Sequence, residues 1–469
     1  MARAALGAPR VWNRSRVILL IAFAFTVMAD PVSSVAYAIE AALRALDGNL
    51  SLLMAAMGLV VLVVGLVVAS YHELVGRFPE GGGSAAAAGK AFGEGVSFIP
   101  MGALIVDFVL TIAISVSAGA SAIIAYVPGL AGSRLPLALG LLVIVAVIVW
   151  FGHMGRTVFA TLTIVFIVVA VVMLTLVAGE PPTAVVNSPV AHAPLAVVLA
   201  FPVAMALATG VEAPSSAIAQ LGQLDDAGRR SFGRWSLWLT LGIVGTLTLA
   251  LTAAAVHLGV TVPHDDTTLV AEIARRSSSS AVFAAFQLGT ALLLLSAASS
   301  SFQAGPGLLK ALARHDRVGE VNHGVLPAYL GRTNRHHVPV AGLVVFTVLS
   351  AAVVTAAGAY DQKLVLFYAV SVFVGFFVGL LAMARFEKGA RRWGWLAINL
   401  AATVAVGFTL IANLARPQAV ASLLVTAAVA GFLYAAWVRA GRPRGAANAV
   451  AEAEAEAGDT ARDATEGAT

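Results

Sequence analysis

The stretch ADPVSSVAYAIEAAL, residues 29–43, interrupts the first long apolar run of the chain. It follows VILLIAFAFTVM, which has the composition of half a membrane-spanning helix. The stretch carries two carboxylates, Asp30 and Glu40, and a proline, Pro31, which has no amide hydrogen to give to a helix interior. Ionisable residues inside a membrane span are costly and usually face a bundle interior or a cavity. The stretch therefore predicts a broken membrane helix that lines a polar site.

The whole chain has the composition of a polytopic membrane protein. Of its 469 residues, 59% are hydrophobic and 11% are charged, whereas about a quarter of a soluble domain is charged. It has no cysteine, which excludes disulfides and thiolate metal sites. The net charge of +5 is attributed to positive loops in the cytoplasm. The expected surroundings are a lipid bilayer, with no nucleic-acid partner.

Twelve apolar segments are long enough to cross a membrane, since a span needs about 20 residues. With the N-terminus placed inside, 23 of the 29 Lys and Arg residues fall in inside segments and six in outside segments. This asymmetry predicts a multi-pass protein of the cell membrane, all-α, with both termini cytoplasmic. The predicted spans are 17–46, 50–74, 98–128, 135–152, 157–179, 193–221, 235–261, 280–313, 338–358, 364–386, 392–412 and 418–438.

Four regions follow from these spans. A cytoplasmic N-terminus, 1–16, precedes a ten-helix transport core, 17–386, and two additional transmembrane helices lie within 387–440. The stretch EGGGSAAAAGKAFGEG, residues 80–95, is interpreted as a flexible cytoplasmic connection with a short amphipathic helix. The tail, 441–469, is small, polar and acidic after residue 450, and this composition predicts a disordered cytoplasmic segment.

The first and sixth spans both contain helix-breaking residues. Pro31 predicts a break near residues 28–33, with a fresh helix from Ser34 onward. The sixth span, FPVAMALATGVEAPSSAIAQL at 201–221, is interrupted by Gly210 and Pro214. Interrupted helices in corresponding positions of two five-helix halves indicate the central site of a transporter. The alternative, that the two prolines only kink packed helices, remains open.

The third span, MGALIVDFVLTIAISVSAGASAIIAY, has a polar face. Asp107, Thr111 and Ser115 lie at i, i+4 and i+8, which places them on one side of a helix. No Lys or Arg is expected to be buried within a span, where it could pair with Asp107. A ladder of hydroxyls beside a carboxylate suits a dehydrated cation. Ser117 and Ser121 are expected to form hydrogen bonds between helices instead.

These features predict one oxygen-rich pocket with a formal charge as low as −3. Such a pocket attracts a cation, and three neighbouring carboxylates cannot all stay ionised without one. The candidates for carrying a proton are Glu212 and Asp107. The predicted binding residues are Asp30, Tyr37, Asp107, Thr111, Ser115, Thr209 and Glu212.

Several motifs resemble the amino acid–polyamine–organocation superfamily and, within it, the potassium importers of the KUP family. They are DPVSSVAYAIEA, DFVLTIAISVSAGASAI, ATGVEA and AASSSFQAGPGLLKALARHDRV. The resemblance implies a LeuT-like five-plus-five inverted repeat with broken helices one and six. It also implies proton-coupled potassium uptake, with potassium held at the seven predicted positions, no further cofactor, and a homodimer. Those importers carry a large cyclic-dinucleotide-binding C-terminal domain, where this sequence has a short tail, so regulation by that route is not expected.

The sequence also bears on three other functions: transport of an amino acid or amine, intramembrane catalysis and passive conduction. An amino acid permease binds its substrate carboxylate on bare amides in span one, where this chain has Asp30 and Pro31. An amine or polyamine, held by carboxylates and Tyr37, is the alternative cargo. An intramembrane enzyme is not expected, because no HExxH, GxSxG or GK[ST] motif occurs. A passive channel has no need of two broken repeats.

Overall fold

The computed structural model describes residues 14–152, 156–183, 192–313 and 324–466. Within these ranges the regular structure is helical, and β pairing is limited to two isolated bridges. The α-helices are α1 Arg14–Val27, α2 Ala29–Ala45, α3 Leu50–Arg77, α4 Gly83–Phe92, α5 Glu94–Tyr126, α6 Arg134–Trp150, α7 Arg156–Val177, α8 Ala193–Ala204, α9 Ala213–Ala217, α10 Asp226–His257, α11 Leu269–Ser277, α12 Ser280–Ala311, α13 Val340–Ala357, α14 Asp361–Gly389, α15 Trp393–Asn413, α16 Pro417–Arg439 and α17 Ala449–Glu466.

Twelve helical segments of the described chain are long and apolar enough to cross a membrane, which confirms the predicted number. Span 1 consists of α1 and α2, and span 6 runs over Ala193–Gln220, including α8 and α9. Helices α4, α11 and α17 lie outside the spans. Because the number of spans is even, span 1 starts and span 12 ends at one side of the bundle. We call this side the basic face, because its span ends carry Arg77, Lys310, Arg385 and Arg439; the other side is the opposite face.

Helix α5 lies at the centre of the bundle. It packs against α12, α14 and α16 and is buried over most of its length. Close approach to α16 depends on Gly102, where a Cβ would lie 2.7 Å from the backbone nitrogen of Ala430. Membrane helices use small residues in this way to bring backbones together. The consequence is that Asp107, in the middle of α5, lies inside the protein and is only 8% exposed.

The interruption of span 1 is smaller than the sequence predicts. Only Met28 separates α1 from α2, and it keeps helical backbone angles. Its amide donates to Ala24 and its carbonyl accepts from Val32, at 3.0 and 2.9 Å. The hydrogen-bond ladder resumes at Met28 and continues past Pro31, which has no amide hydrogen to donate to the carbonyl of Val27. Span 1 is a locally disturbed helix.

The predicted fresh helix from Ser34 is consequently wrong, because α2 already begins at Ala29. Ser33 and Ser34 do not cap a helix start. Their hydroxyls donate backward to the carbonyls of Asp30 and Pro31, both at 2.7 Å. Such back-bonding is what Ser does inside a helix rather than at its N-terminus.

The interruption of span 6 is a true break. After α8 a 3₁₀ turn covers Met205–Ala208, and then Thr209 is extended with φ −52° and ψ 135°. Gly210 follows with φ +67°, in the left-handed region that glycine adopts without strain. Helix α9 restarts at Ala213 with Pro214 in its first turn, where the missing amide hydrogen costs nothing. Gly210 and Pro214 thus act as the helix breaks that the sequence predicts.

Two segments outside the spans are more ordered than the sequence predicts. The 80–95 connection contains α4, which is mostly buried and packs against α5 and α14. The tail contains α17, Ala449–Glu466, where the composition predicts disorder. Its repeated alanines are the strongest helix formers, and the same residues bury one side of the helix at Ala449 and Ala453. Contact with the transmembrane bundle therefore favours a helix over a disordered tail.

Candidate functional site

Carboxylates from three spans line one cavity of about 150 Å³. Asp30 comes from span 1, Asp107 from α5 and Glu212 from the break in span 6. The cavity continues past Thr26 and Ser216 toward the basic face. No Lys or Arg belongs to this lining. Full burial without a basic partner is costly for a carboxylate, so a site of this kind favours cationic occupants.

The two interrupted spans touch at the cavity. A Cβ on Gly210 would lie 2.6 Å from Oδ2 of Asp30 and 2.7 Å from Cδ of Pro31. The hydroxyl of Ser34 also reaches across to the carbonyl of Leu207 at 3.3 Å. The absent side chain at Gly210 therefore lets the break in span 6 pack directly on the Asp30 carboxylate.

Asp107 faces the cavity beside a hydroxyl pair. Thr111, one turn further along α5, lies 3.0 Å from the hydroxyl of Tyr368 on α14. Tyr368, in turn, interacts with Asp107. Tyr368 therefore lies beside Asp107 at the site. Asp107 is also close enough to interact electrostatically with Asp30 and Glu212.

Several buried oxygen atoms at the site have no hydrogen-bond partner among the described residues. They are Oδ1 of Asp30, Oδ1 of Asp107 and Oγ of Ser115. Buried polar atoms are normally paired, and unpaired ones need a reason. These atoms are acceptors or hydroxyls, so a cation or a proton is the species that they suit. Ser117 is likewise unpaired, so its expected hydrogen bond between helices is not formed in the described structure.

Glu212 is held by residues that the sequence analysis missed. Its Oε2 accepts from the hydroxyl of Tyr71 on α3 at 2.9 Å and from Oγ of Ser84 on α4 at 3.1 Å. Those two hydroxyls lie 2.6 Å apart. Gly379 of α14 leaves room for them, since a Cβ there would be 2.8 Å from Oγ of Ser84. Glu212 thus links span 6 to α3 and α4.

The remaining predicted residues lie behind the cavity lining. Tyr37 and Thr209 are buried and close to one another, and the hydroxyl of Thr209 donates to the carbonyl of Ala206 at 2.7 Å. Of the seven predicted binding residues, the lining contains the three carboxylates. Further walls that sequence reasoning did not find come from α12, through Ser300, Ser301 and Gln303, and from α17.

The three carboxylates do not form a compact metal cluster. Among the described residues, no group of three or more His, Cys, Asp or Glu is arranged to hold a metal ion. The carboxylates share a cavity, and any ion bound there is held partly by hydroxyl or carbonyl oxygens.

The cavity is closed toward the opposite face. Glu40 accepts from Arg44 at 2.8 Å and from the amide of Leu269, the first residue of α11, at 3.0 Å. Beside it, Asp361 at the start of α14 accepts from Ser121 at 2.7 Å. The expected interhelical role of Ser121 is therefore confirmed. These buried polar contacts tie span 1, α5, α11 and α14 together at the opposite end.

Comparison with known proteins defines the class of this chain. The family model described as amino acid permease matches residues 18–437. The chain therefore belongs to the amino acid permease family, within the amino acid–polyamine–organocation superfamily, and it is a transport protein rather than an enzyme. Its described residues form an all-α fold with twelve candidate membrane spans, as predicted.

One relative is the potassium transporter KimA from Bacillus subtilis (strain 168). It is 28% identical over 344 residues, which cover 70% of this chain and 54% of KimA. The chain thus matches about half the length of this curated relative.

Two solved structures are also similar. A mutant of the Eremococcus coleocola manganese transporter is 11% identical, with a TM-score of 0.48 and coverage of 93% of this chain and 97% of that one. The same transporter in complex with an aromatic bis-isothiourea substituted compound is 12% identical, with a TM-score of 0.47 and coverage of 93% and 96%. Likenesses at this level do not bear on the substrate.

Proposed function

We propose that this transporter takes up potassium ions together with protons, by alternating access around the cavity between spans 1, 3 and 6. The observation that carries the proposal is the set of three buried carboxylates, Asp30, Asp107 and Glu212, in one cavity that no Lys or Arg of the described residues lines. We further propose that the basic face is cytoplasmic, that the protein lies in the cell membrane, and that it assembles as a homodimer.

The donor set favours a metal cation over an anion. All the polar side chains of the predicted site present oxygen, and three of these oxygens, on Asp30, Asp107 and Ser115, have no partner among the described residues. Hard cations take oxygen ligands from carboxylates, hydroxyls and carbonyls. The similarity to KimA, a potassium transporter, supports potassium as the cation.

Charge balance supports coupling to protons. Ionised together, the three buried carboxylates carry a formal charge of −3, and such groups in one buried site interact strongly. Either one potassium ion or one proton leaves a formal charge of −2, whereas both together leave −1. Enclosing these charges away from water is least costly when both are bound, and Glu212 and Asp107 are the candidates for the protonated group.

The second candidate cargo is an amine or amino acid, because the matching family model is that of amino acid permeases. An ammonium group fits the same carboxylates. A substrate carboxylate fits less well, because Asp30 packs against Gly210 at the place where bare amides are needed.

Rubidium uptake in a bacterium deficient in potassium transport tests the proposal. We expect expression of the chain to restore growth at low potassium and to produce saturable rubidium uptake that increases with an inward proton gradient. Failure to rescue growth, with membrane expression confirmed, contradicts potassium uptake. Uptake of labelled amines or amino acids by the same cells then assigns the alternative cargo, and non-saturable, proton-independent flux indicates a channel.

We expect Glu212→Gln to flatten the pH dependence of uptake, because glutamine keeps the hydrogen-bonding shape but neither gains nor loses a proton. The measurement is initial rubidium uptake at external pH values from about 5 to 8. The matched control is Glu80→Gln, since Glu80 is exposed outside the spans. A Glu212→Gln profile that parallels the wild type contradicts a role of Glu212 in coupling.

A further inference from the structure

The cavity that holds the three carboxylates is bounded by α17 at the basic face. Ala453, Glu454 and Ala457 of this helix belong to the same lining as Asp30 and Asp107. The helix packs across α12, α9, α4 and the 3₁₀ turn Ile218–Gln220. Because these elements surround the basic-face end of the cavity, α17 lies across the path from the carboxylates to that face.

The contact between α17 and the bundle is made by small residues. A Cβ on Gly307 of α12 would lie 3.8 Å from Cβ of Ala453, and one on Gly82 would lie 3.5 Å from Cβ of Ala451. These are ordinary van der Waals distances. Small side chains at these points let the helix lie close to the bundle without interlocking.

Polar contacts also hold the helix in place. Among them, Nε2 of Gln220 donates to Oε2 of Glu454 at 2.6 Å, and Lys310 at the end of α12 forms an ion pair with Glu456. Lys310 is 15% and Glu456 is 50% exposed, and solvent weakens an ion pair that has an exposed partner. Contacts of this strength fix the position of a helix and still release it readily.

We infer that α17 is a displaceable lid that closes the basic-face exit of the cavity, so that cargo leaves only when the helix moves. The inference rests on the proposed function in taking this cavity as the transport path. Toward the opposite face, the buried polar contacts of Glu40 and Asp361 hold the spans together. With α17 seated, the helix lies across the path to the basic face, and release through that face requires it to separate from α12.

A reversible cross-link tests the lid in the full-length protein. The variant Gly307→Cys with Ala453→Cys places two Cβ atoms 3.8 Å apart, which is about the mean spacing of a disulfide. Because the chain has no cysteine, this pair forms the only disulfide. We expect oxidation to abolish rubidium uptake and reduction to restore it, while the wild type and both single variants are insensitive to the oxidant. Uptake at the wild-type rate with the disulfide formed overturns the inference.

A second measurement needs no cargo and so remains informative if the proposed function fails. Ser216→Cys adds a single thiol to the cavity lining, and its labelling by a charged maleimide is followed in purified protein. Gln220→Glu with Lys310→Glu turns both polar contacts into repulsion, and we expect labelling to accelerate by about tenfold. The control is Lys388→Glu, which makes the same substitution as Lys310→Glu at an exposed site on the basic face.

Exchange of the ion pair provides the rescue. Lys310→Glu with Glu456→Lys restores opposite charges across the contact, and we expect labelling of the Ser216→Cys thiol to return to the slow rate. The lid is overturned if labelling is equally fast in Ser216→Cys alone, with Gln220→Glu and Lys310→Glu added, and with Lys310→Glu and Glu456→Lys added. If labelling is slow and responds to these changes as expected, but the protein moves no rubidium, the lid is supported and potassium is rejected as the cargo.

Discussion

Asp107→Asn is expected to reduce cation uptake by at least about 100-fold while the protein still folds and inserts. A charge at this depth is worth about 3 kcal/mol, which corresponds to roughly 100-fold in an equilibrium constant. Asparagine preserves the volume of the side chain, which is 8% exposed at the centre of α5, but removes the charge that attracts a cation. The measurement is initial rubidium uptake normalised to the amount of protein in the membrane.

The control for this variant is Asp226→Asn, the same chemical change at an exposed position in the first turn of α10. It is expected to transport at the wild-type rate. Size-exclusion profiles of both variants in detergent separate a transport defect from misfolding. Wild-type uptake by Asp107→Asn removes Asp107 from the binding site and leaves Asp30 and Glu212 as the remaining charged candidates.

Most of the site could be predicted from the polar residues that lie inside apolar runs of the sequence. The cost of burying Asp30, Asp107 and Glu212 in lipid requires a shared polar interior, and the structure gives all three one cavity. The helical repeat placed Thr111 on the same side of α5 as Asp107. The number of spans followed from hydropathy and from the distribution of Lys and Arg.

The partners of Glu212 were outside the reach of this reasoning. Tyr71 and Ser84 lie more than a hundred positions away in the chain, and neither has a spacing that links it to span 6. Ser84 also belongs to a glycine- and alanine-rich stretch whose composition is equally typical of a flexible connection. Its burial depends on contacts of α4 with α5 and α14, which only the folded protein reveals.

The two breaks differ for a reason that composition alone did not supply. Pro31 has helical neighbours on both sides, and the loss of one hydrogen bond is tolerated within a packed helix. Span 6 has a glycine as well, and its positive φ at Gly210 redirects the chain. Proline alone therefore predicts a disturbance of the helix, while the combination of Gly210 with Pro214 predicts a change of direction.

Gly210→Ala is expected to cause the second large loss of uptake, because the new methyl group enters space already filled by span 1. Its Cβ would lie 2.6 Å from Oδ2 of Asp30 and 2.7 Å from Cδ of Pro31. The left-handed backbone at φ +67° adds about 1–2 kcal/mol for a residue with a side chain. Both effects act on the contact between the two interrupted spans. We therefore expect the variant to lose at least about tenfold in uptake and to have a lower melting temperature in detergent.

The control is Gly58→Ala, in the helical part of α3, where a Cβ would meet nothing within 4 Å. Alanine there improves helix propensity, so uptake and melting temperature are expected to stay equal or rise. If Gly210→Ala transports as well as Gly58→Ala, the contact between Asp30 and the break in span 6 is looser than the structure has it. The carboxylate of Asp30 is then free to move away from the cavity, and only Asp107 and Glu212 remain as carboxylates of the proposed binding site.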